Sequence, residues 1–195
     1  MKFTSDVDID FADRDLILKL IKHVPAVIVN QDKTVKHNTG VYVTEIPTDP
    51  RTGHSAIDYR QAESRGYVKL DFLNVSVYGL VSSQEHLSQL IQQQPPWHKL
   101  YDQSFCEQLI HIGNHYNTLL RMPEPVDSIP RLAMFLALIR PGKKHLIGQD
   151  WKSVAAKVWV KPDDDSYYFK KSHSVAYAQL VAVHMNLLNL ANQGN

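Results

Sequence analysis

The chain has 195 residues, 44% hydrophobic and 21% charged; at about 150 residues per domain it is sized for one globular domain, and it is too apolar for a disordered chain. No stretch approaches the roughly 18 uninterrupted apolar residues of a membrane span, Met1-Lys2-Phe3-Thr4-Ser5-Asp6 has no apolar leader, and a lone cysteine, Cys106, leaves neither an internal disulfide nor a cysteine-built metal centre, so a reducing cytoplasm is the expected setting. The net charge of +1 hides an asymmetry: from residue 131 nine Lys/Arg face four Asp, +5, while the first 130 residues hold 12 basic and 16 acidic groups, −4.

The first predicted element is a strand. From position 6 onward Asp6-Val7-Asp8-Ile9-Asp10-Phe11 alternates strictly, so Val7, Ile9 and Phe11 share one face and the three aspartates the other. Asp13 then caps a helix whose apolar residues Leu16, Ile17, Leu20 and Ile21 fall at helical spacing, with Pro25 closing it. Short strands are expected over 26–29 and, after Asn38-Thr39-Gly40, over 41–46, with a loop over 47–53. A helix over 58–64 leads through Gly66 into a strand over 67–73 that carries Asp71. The pattern then turns helical. One helix runs from Ser82 or Ser83 to Gln94, stopped by Pro95-Pro96, and another from about Ser104 to Arg121. A third, opened by Pro130, carries Leu132, Phe135, Leu136 and Ile139 and ends at Arg140-Pro141-Gly142; the last spans about His173 to Ala191. Strands early and helices late make an α+β domain, with a small mixed sheet and helices packed around it.

Three carboxylates on one strand face raise one another's pKa, and a divalent cation reverses that penalty. An Asp-x-Asp pair joined by a third Asp from a neighbouring strand can hold two Mg²⁺ ions about 4 Å apart for in-line phosphoryl transfer. Asp6 and Asp8 supply the pair and Asp71 is the natural third member. An exposed acidic strand face, or half of a salt-bridged surface, fits the same spacing. The basic C-terminal third suits either a polyanion track or a solvated face. His111 and His115 have the i,i+4 spacing of zinc ligands on a helix, but no Glu follows His111, and two half-buried histidines are the plainer reading. Tyr167-Tyr168-Phe169 suits base stacking or packing beneath the last helix, and Trp97, Trp151 and Trp159 read as core.

Ser5-Asp6-Val7-Asp8-Ile9-Asp10-Phe11 followed by Arg14-Asp15 resembles the catalytic strand of the C-family bacterial replicative DNA polymerase, the DNA polymerase III α subunit, whose pattern is Pro-Asp-x-Asp-x-Asp-Phe and then Arg-Asp. Four further segments match in the same order. His37-Asn38-Thr39-Gly40-Val41-Tyr42-Val43 resembles His-Ala-Ala-Gly-Val-Val-Ile, and Gly66-Tyr67-Val68-Lys69-Leu70-Asp71-Phe72-Leu73 resembles Gly-Leu-Val-Lys-Phe-Asp-Phe-Leu. Ala137-Leu138-Ile139-Arg140-Pro141-Gly142 is similar to Ala-Leu-Tyr-Arg-Pro-Gly, and Phe169-Lys170-Lys171-Ser172-His173-Ser174-Val175-Ala176-Tyr177-Ala178 to Phe-Asn-Lys-Ser-His-Ala-Ala-Ala-Tyr-Ala. Each segment alone is weak; five in one order span nearly the whole chain.

Position by position, the resemblance implies a nucleotidyltransferase-type palm over 1–80 and a helical remnant of fingers over 81–195. Asp6, Asp8 and Asp71 would be the catalytic metal-binding triad, for Mg²⁺ with Mn²⁺ as a substitute. Lys69 would offset triphosphate charge beside it. Arg140, Lys171 and His173 would contact nucleotide phosphates or template. Asp10 matches an acid that the family does not normally use as a ligand, and a partner for Arg14 or a backbone donor is its expected role. The implied partners are primer-template DNA, deoxynucleotides and a replisome protein, with no membrane. The departures are as informative. The family's Gly-Ser motif upstream of the first catalytic Asp has no counterpart, the segments between Ile21 and His37 and between Gly142 and Phe169 are far shorter, and Asn74 stands where the family usually has Gly. The expectation is a reduced polymerase of the kind suited to a compact phage genome, with weak or partner-dependent nucleotide addition, or else an inactive pseudo-polymerase that occupies DNA or a replisome protein.

Overall fold

From its second residue strand β1 (Val7–Phe11) has the exposure that its alternation requires: Asp8 and Asp10 are exposed, while Ile9 and Phe11 are partly covered; Val7, at its start, is exposed. The computed structural model describes residues 7–31, 33–164 and 166–193, so Asp6 lies outside the described residues. The chain divides into two compact units, Met1–Leu80 and Val81–Asn195, and its fold is α+β with a mixed four-stranded sheet.

In the first unit, helix α1 (Arg14–Leu20) begins where Asp13 Oδ1 accepts from the N–H groups of Asp15 and Leu16 at 2.9 and 3.2 Å. Asn74 Oδ1 accepts from the Arg14 N–H at 3.1 Å, so three donors that the helix itself leaves unpaired are satisfied. That is a use for Asn74 which a glycine lacks. Strand β2 (Val24–Asn30), strand β3 (Lys33–Tyr42), helix α2 (Tyr59–Ser64) and strand β4 (Leu70–Asn74) follow. The sheet order is β1-β4-β3-β2, with β1 parallel to β4 and the other pairs antiparallel. Pro25 does not close a helix. It sits inside edge strand β2, where the pairing register shifts between Pro25 and Val27, a place where a missing N–H is tolerated.

Strand β3 also differs from expectation, because it starts at Lys33 and takes in Asn38-Thr39-Gly40. The chain reverses earlier, beside Gln31, whose φ is 52°. Phe11 and Phe72 meet on one face of the sheet with ring centroids 4.8 Å apart. On the opposite face Tyr42, Ala26 and Ile46 pack with Ala62 of α2.

The second unit holds α3 (Gln84–Gln92), α4 (Gln103–Cys106), α5 (Tyr116–Leu119), α6 (Ile129–Leu138), α7 (Trp151–Lys157) and α8 (Lys171–Gln193). Helix α6 buries Leu132, Ala133, Phe135, Leu136, Ala137 and Leu138 and packs on α8. There the Ser174 hydroxyl donates to the Ala133 carbonyl at 2.7 Å. Asn186 Nδ2, fully buried, donates to the Leu90 and Gln93 carbonyls at 2.9 and 3.0 Å and closes the C-terminus of α3. The continuous helix expected over 104–121 is broken into α4, a 3₁₀ turn at Gly113–His115 and α5. Two residues explain the break. His111 takes a φ of 65°, which ends a right-handed helix, and a Cβ on Gly113 would fall 2.6 Å from the Glu107 carbonyl oxygen. Helix α7 was not expected, although Asp150 Oδ1 caps it by accepting from the Ser153 N–H at 3.0 Å. Among the described residues no helix is long and apolar enough to cross a membrane.

Candidate functional site

The sheet sets Asp71 of β4 opposite Asp8 of β1 on one side and opposite Gly40 of β3 on the other. Residues paired across adjacent strands share a face and lie about 5 Å apart, so Asp8, Asp71 and Gly40 form a row. Gly40 adds no side chain to it, and Lys69 uses the gap. A Cβ on Gly40 would lie 2.7 Å from Lys69 Cδ, 3.0 Å from His37 Nδ1 and 3.2 Å from the Ala26 Cβ. Over that gap the Lys69 ammonium reaches Asp71 Oδ2 as an ion pair, 5.9 Å from the Tyr59 ring centre. Thr39 Oγ1 donates to the other oxygen, Asp71 Oδ1, at 2.7 Å. A carboxylate with only 7% exposure needs such partners to offset its lost hydration.

His37 organises this corner from behind. Its Nδ1 accepts from the Thr39 and Gly40 N–H groups at 3.2 and 2.9 Å, so the ring proton sits on Nε2. Burial first, then the Lys69 ammonium and the Arg14 guanidinium, hold its pKa below the ordinary value against the pull of Asp71. The ring is therefore neutral near pH 7, and its 3.8 Å approach to Asp71 Oδ1 is no ion pair. Tyr42 lies on the same face two residues beyond Gly40. Its buried hydroxyl has no hydrogen-bond partner among the described residues. Burial, with Asp58, Asp71 and Glu63 nearby, pushes it up to about 12. Asp10 is raised by partial burial and by the Asp8 charge. Arg14 does not pair with it: the guanidinium reaches the Thr39 carbonyl instead, at 3.4 Å.

Asp8 and Asp71 are thus brought together, with Lys69 beside them. Two carboxylates in register on one face fit a hard divalent cation, whose charge would take over the role that Lys69 now plays for Asp71. Among the described residues no group of three or more His, Cys, Asp or Glu is arranged to hold a metal. The zinc spacing of His111 and His115 is lost with the helix that would have displayed it, since His111 lies in a turn and His115 ends a 3₁₀ turn. Sequence reasoning gave no role to His37, Thr39 or Gly40, which complete the Asp71 surroundings. The available signal was a glycine within a strand-like run, a mark of close approach by another group.

The remaining expected site residues belong to the second unit. Arg140 follows α6, with its guanidinium carbon 3.9 Å from the Phe169 ring centre. Lys171 opens α8 and is exposed, and His173 stands half-buried in the first turn. Lys143, one of the lysines of the basic third, cannot meet a polyanion: it is 5% exposed, and its Nζ donates to the Lys157 carbonyl at 3.0 Å. Lys144 beside it is exposed. No known protein family matches the chain, and neither a curated protein nor a solved structure does.

Proposed function

We propose that the chain is a reduced relative of the DNA polymerase III α subunit that binds primer-template DNA and deoxynucleotides and carries out weak, Mg²⁺-dependent nucleotide addition. One observation carries this reading: two aspartates 63 positions apart, chosen by their resemblance to a catalytic triad, stand opposite each other on parallel strands with a lysine against one of them. Asp8 and Asp71, with Asp6, would hold the Mg²⁺. When bound, the ion supplies positive charge for the triphosphate and lowers the pKa of an attacking 3′-hydroxyl. Lys69, released from Asp71, would turn to the substrate phosphates. Thr39 would keep one Asp71 oxygen oriented, and His37, neutral and anchored to two backbone N–H groups, would hold Thr39 in place. Arg140, Lys171 and His173 would meet nucleotide phosphates or template.

A second reading has its own support. Both Asp71 oxygens already have protein partners, an arrangement that is complete without a metal and suits a non-catalytic module that occupies DNA or a replisome protein. Primer extension with Mg²⁺ and with Mn²⁺, alone and with replication extract, separates the two. A polymerase loses extension by about 100-fold or more in Asp8→Ala and Asp71→Ala while retaining DNA affinity. A binding module extends nothing, and its DNA affinity stays level or rises in the same variants as repulsion falls. Extension that is robust and untouched by either substitution would sink the polymerase assignment.

A further inference from the structure

In the first unit the hairpin of β2 and β3 runs past the rest of the sheet. Its strands pair with each other from Val27 opposite Lys36 to Asn30 opposite Lys33. Among the described residues β4 meets β3 only at Gly40 and Val41. Every residue over 33–36 is exposed, and across the ladder so are Val29 and Asn30. Val29, Thr34 and Lys36 share one face of this arm, and Asn30, Lys33 and Val35 the other, so both faces meet solvent. Two of the side chains left open are apolar, Val29 at 43% exposure and Val35 at 51%.

The two edges of the arm are unequal. Along β2 the edge is covered: the Val29 N–H donates to Asp58 Oδ2 at 2.8 Å, Val27 bridges to Asp58, and the Ser55 N–H closes on the Pro25 carbonyl at 2.9 Å. The Val29 bond also fixes what the β3 edge presents. Because Val29 turns its N–H away from β3, it forms a non-hydrogen-bonded pair with Thr34. Thr34 then turns its own N–H and C=O away from β2, and Lys36, two residues on, does the same. Among the described residues no backbone group pairs with them. This edge is open.

An unpaired strand edge is a template for another strand, and the side chains along it select which. Strand β3 carries Lys33 and Lys36 and no acid. A second copy laid antiparallel on this edge would bring Lys33 and Lys36 of both chains together, and like charges oppose such pairing. An acidic strand meets opposite charge instead. On the face of Thr34, a hollow of about 610 Å³ opens between the arm, at Val27 and Thr34, and the loop carrying Thr48, Arg51 and His54. Side chains paired across adjacent strands lie about 5 Å apart, so a residue opposite Thr34 on an added strand has that hollow within reach.

We propose that the open edge of β3 over 33–37 binds an acidic, extended segment of a protein partner, which joins the sheet as a further strand. Main-chain bonds to Thr34 and Lys36 supply the pairing, the two ammonium groups the charge match, and Val35 a contact for an apolar side chain. Residues 27–36 lie outside every segment that resembles the polymerase, and the Asp8–Asp71 pair has no part in this site.

The test is fluorescence anisotropy of the full chain with a labelled peptide of alternating Glu and Val. Its controls are the same peptide N-methylated throughout, which keeps the charge and cannot donate along the edge, and a Lys–Val counterpart. The Glu–Val peptide should bind, and both controls about 10-fold more weakly or worse. Thr34→Pro removes a donor that β2 does not use and should weaken the Glu–Val peptide about 2- to 12-fold, the range of one hydrogen bond. Lys33→Glu with Lys36→Glu should weaken it about 10-fold or more and let the Lys–Val peptide bind in its place; circular dichroism checks that each variant is folded. No binding of the Glu–Val peptide up to about 1 mM overturns the proposal, as does equal binding of its N-methylated form or affinity unchanged in the folded variants. A random-sequence oligonucleotide bound through the two lysines and indifferent to Thr34→Pro, with no peptide bound, would assign the arm to DNA. A dimer that Thr34→Pro dissociates in sedimentation would assign the edge to a second copy. Either result overturns the acidic strand.

Discussion

At the scale of a single residue, Gly40 decides how Asp71 is satisfied. It sits where a strand would ordinarily place a side chain on the carboxylate face, and Lys69 Cδ occupies the spot a Cβ would need. Gly40→Ala must therefore displace either the Lys69 stem or the His37 ring, and both hold the Asp71 corner together. Overpacking of this kind costs about 1–3 kcal/mol. The substitution should lower the urea midpoint by a corresponding amount. In a Lys69→Ala background, where the clashing atom is gone, the same change should cost distinctly less, a coupling that a double-mutant cycle reads directly. Equal costs in both backgrounds would mean that Lys69 does not use the gap.

At the scale of elements, Lys143 and Lys144 are neighbours with unrelated tasks. The Lys143 ammonium sits on the carbonyl of Lys157, the last residue of α7, where a cation suits the negative end of the helix. Lys143→Glu leaves a buried anion facing that carbonyl and should destabilise the chain by about 3 kcal/mol or more. Lys144→Glu should change stability by less than about 0.5 kcal/mol. If the exposed lysine meets phosphate, it should also flatten the slope of log DNA affinity against log salt by about 1. The reverse ranking in thermal melts would refute this division of labour.

Sequence told the two lysines apart no better than it placed the broken helix at 104–121, and for one reason: burial and close approach are tertiary facts. Local rules did carry the Asp13 cap and the helix starts near Asp58 and at Ser82 or Ser83, because Asp13, Asp58 and Ser83 act on N–H groups two or three residues away. They also carried β1, whose period of two is complete in itself. They missed β3, where Asn38-Thr39-Gly40 has the composition of a turn but lies beside Lys69 in a strand. The grouping of Asp8 with Asp71 was legible from two strand-like runs bearing aspartates and was repeated by the resemblance, but their exact opposition was not, since no local pattern sets the register of two distant strands.

At the scale of the whole molecule, histidines make stability depend on pH. Burial, aided by Arg140, lowers His111 from 6.5 to about 4, and His37, His115 and His184 shift in the same direction. Each is neutral in the fold while the unfolded chain takes up its proton at the ordinary value. Their contribution is therefore complete above about pH 6.5 and is lost as pH falls toward the folded values. For His111 alone the loss at pH 5 is about 2 kcal/mol. Asp10, raised in the fold, works in the opposite direction at the acid end. The urea midpoint should fall between pH 7 and pH 5, and His111→Asn, which tolerates a left-handed backbone, should remove part of that dependence. A midpoint that stays level across this range would contradict the neutral, buried state of these rings.

The carboxylate pair is borne by unequal strands. β4 is flanked on both sides, whereas β1 has β4 as its only strand neighbour among the described residues, with the Val75 N–H closing on the Phe11 carbonyl at 2.7 Å. Fraying of that one strand separates Asp8 from Asp71 while the rest of the sheet stays intact, so the pair has an opening free energy of its own, below that of global unfolding. Backbone amides shared between β1 and β4 should exchange with deuterium sooner than those between β2 and β3. A divalent cation held by both aspartates would slow exchange in β1 selectively, which makes the protection of five residues a reporter of occupancy that needs no catalysis.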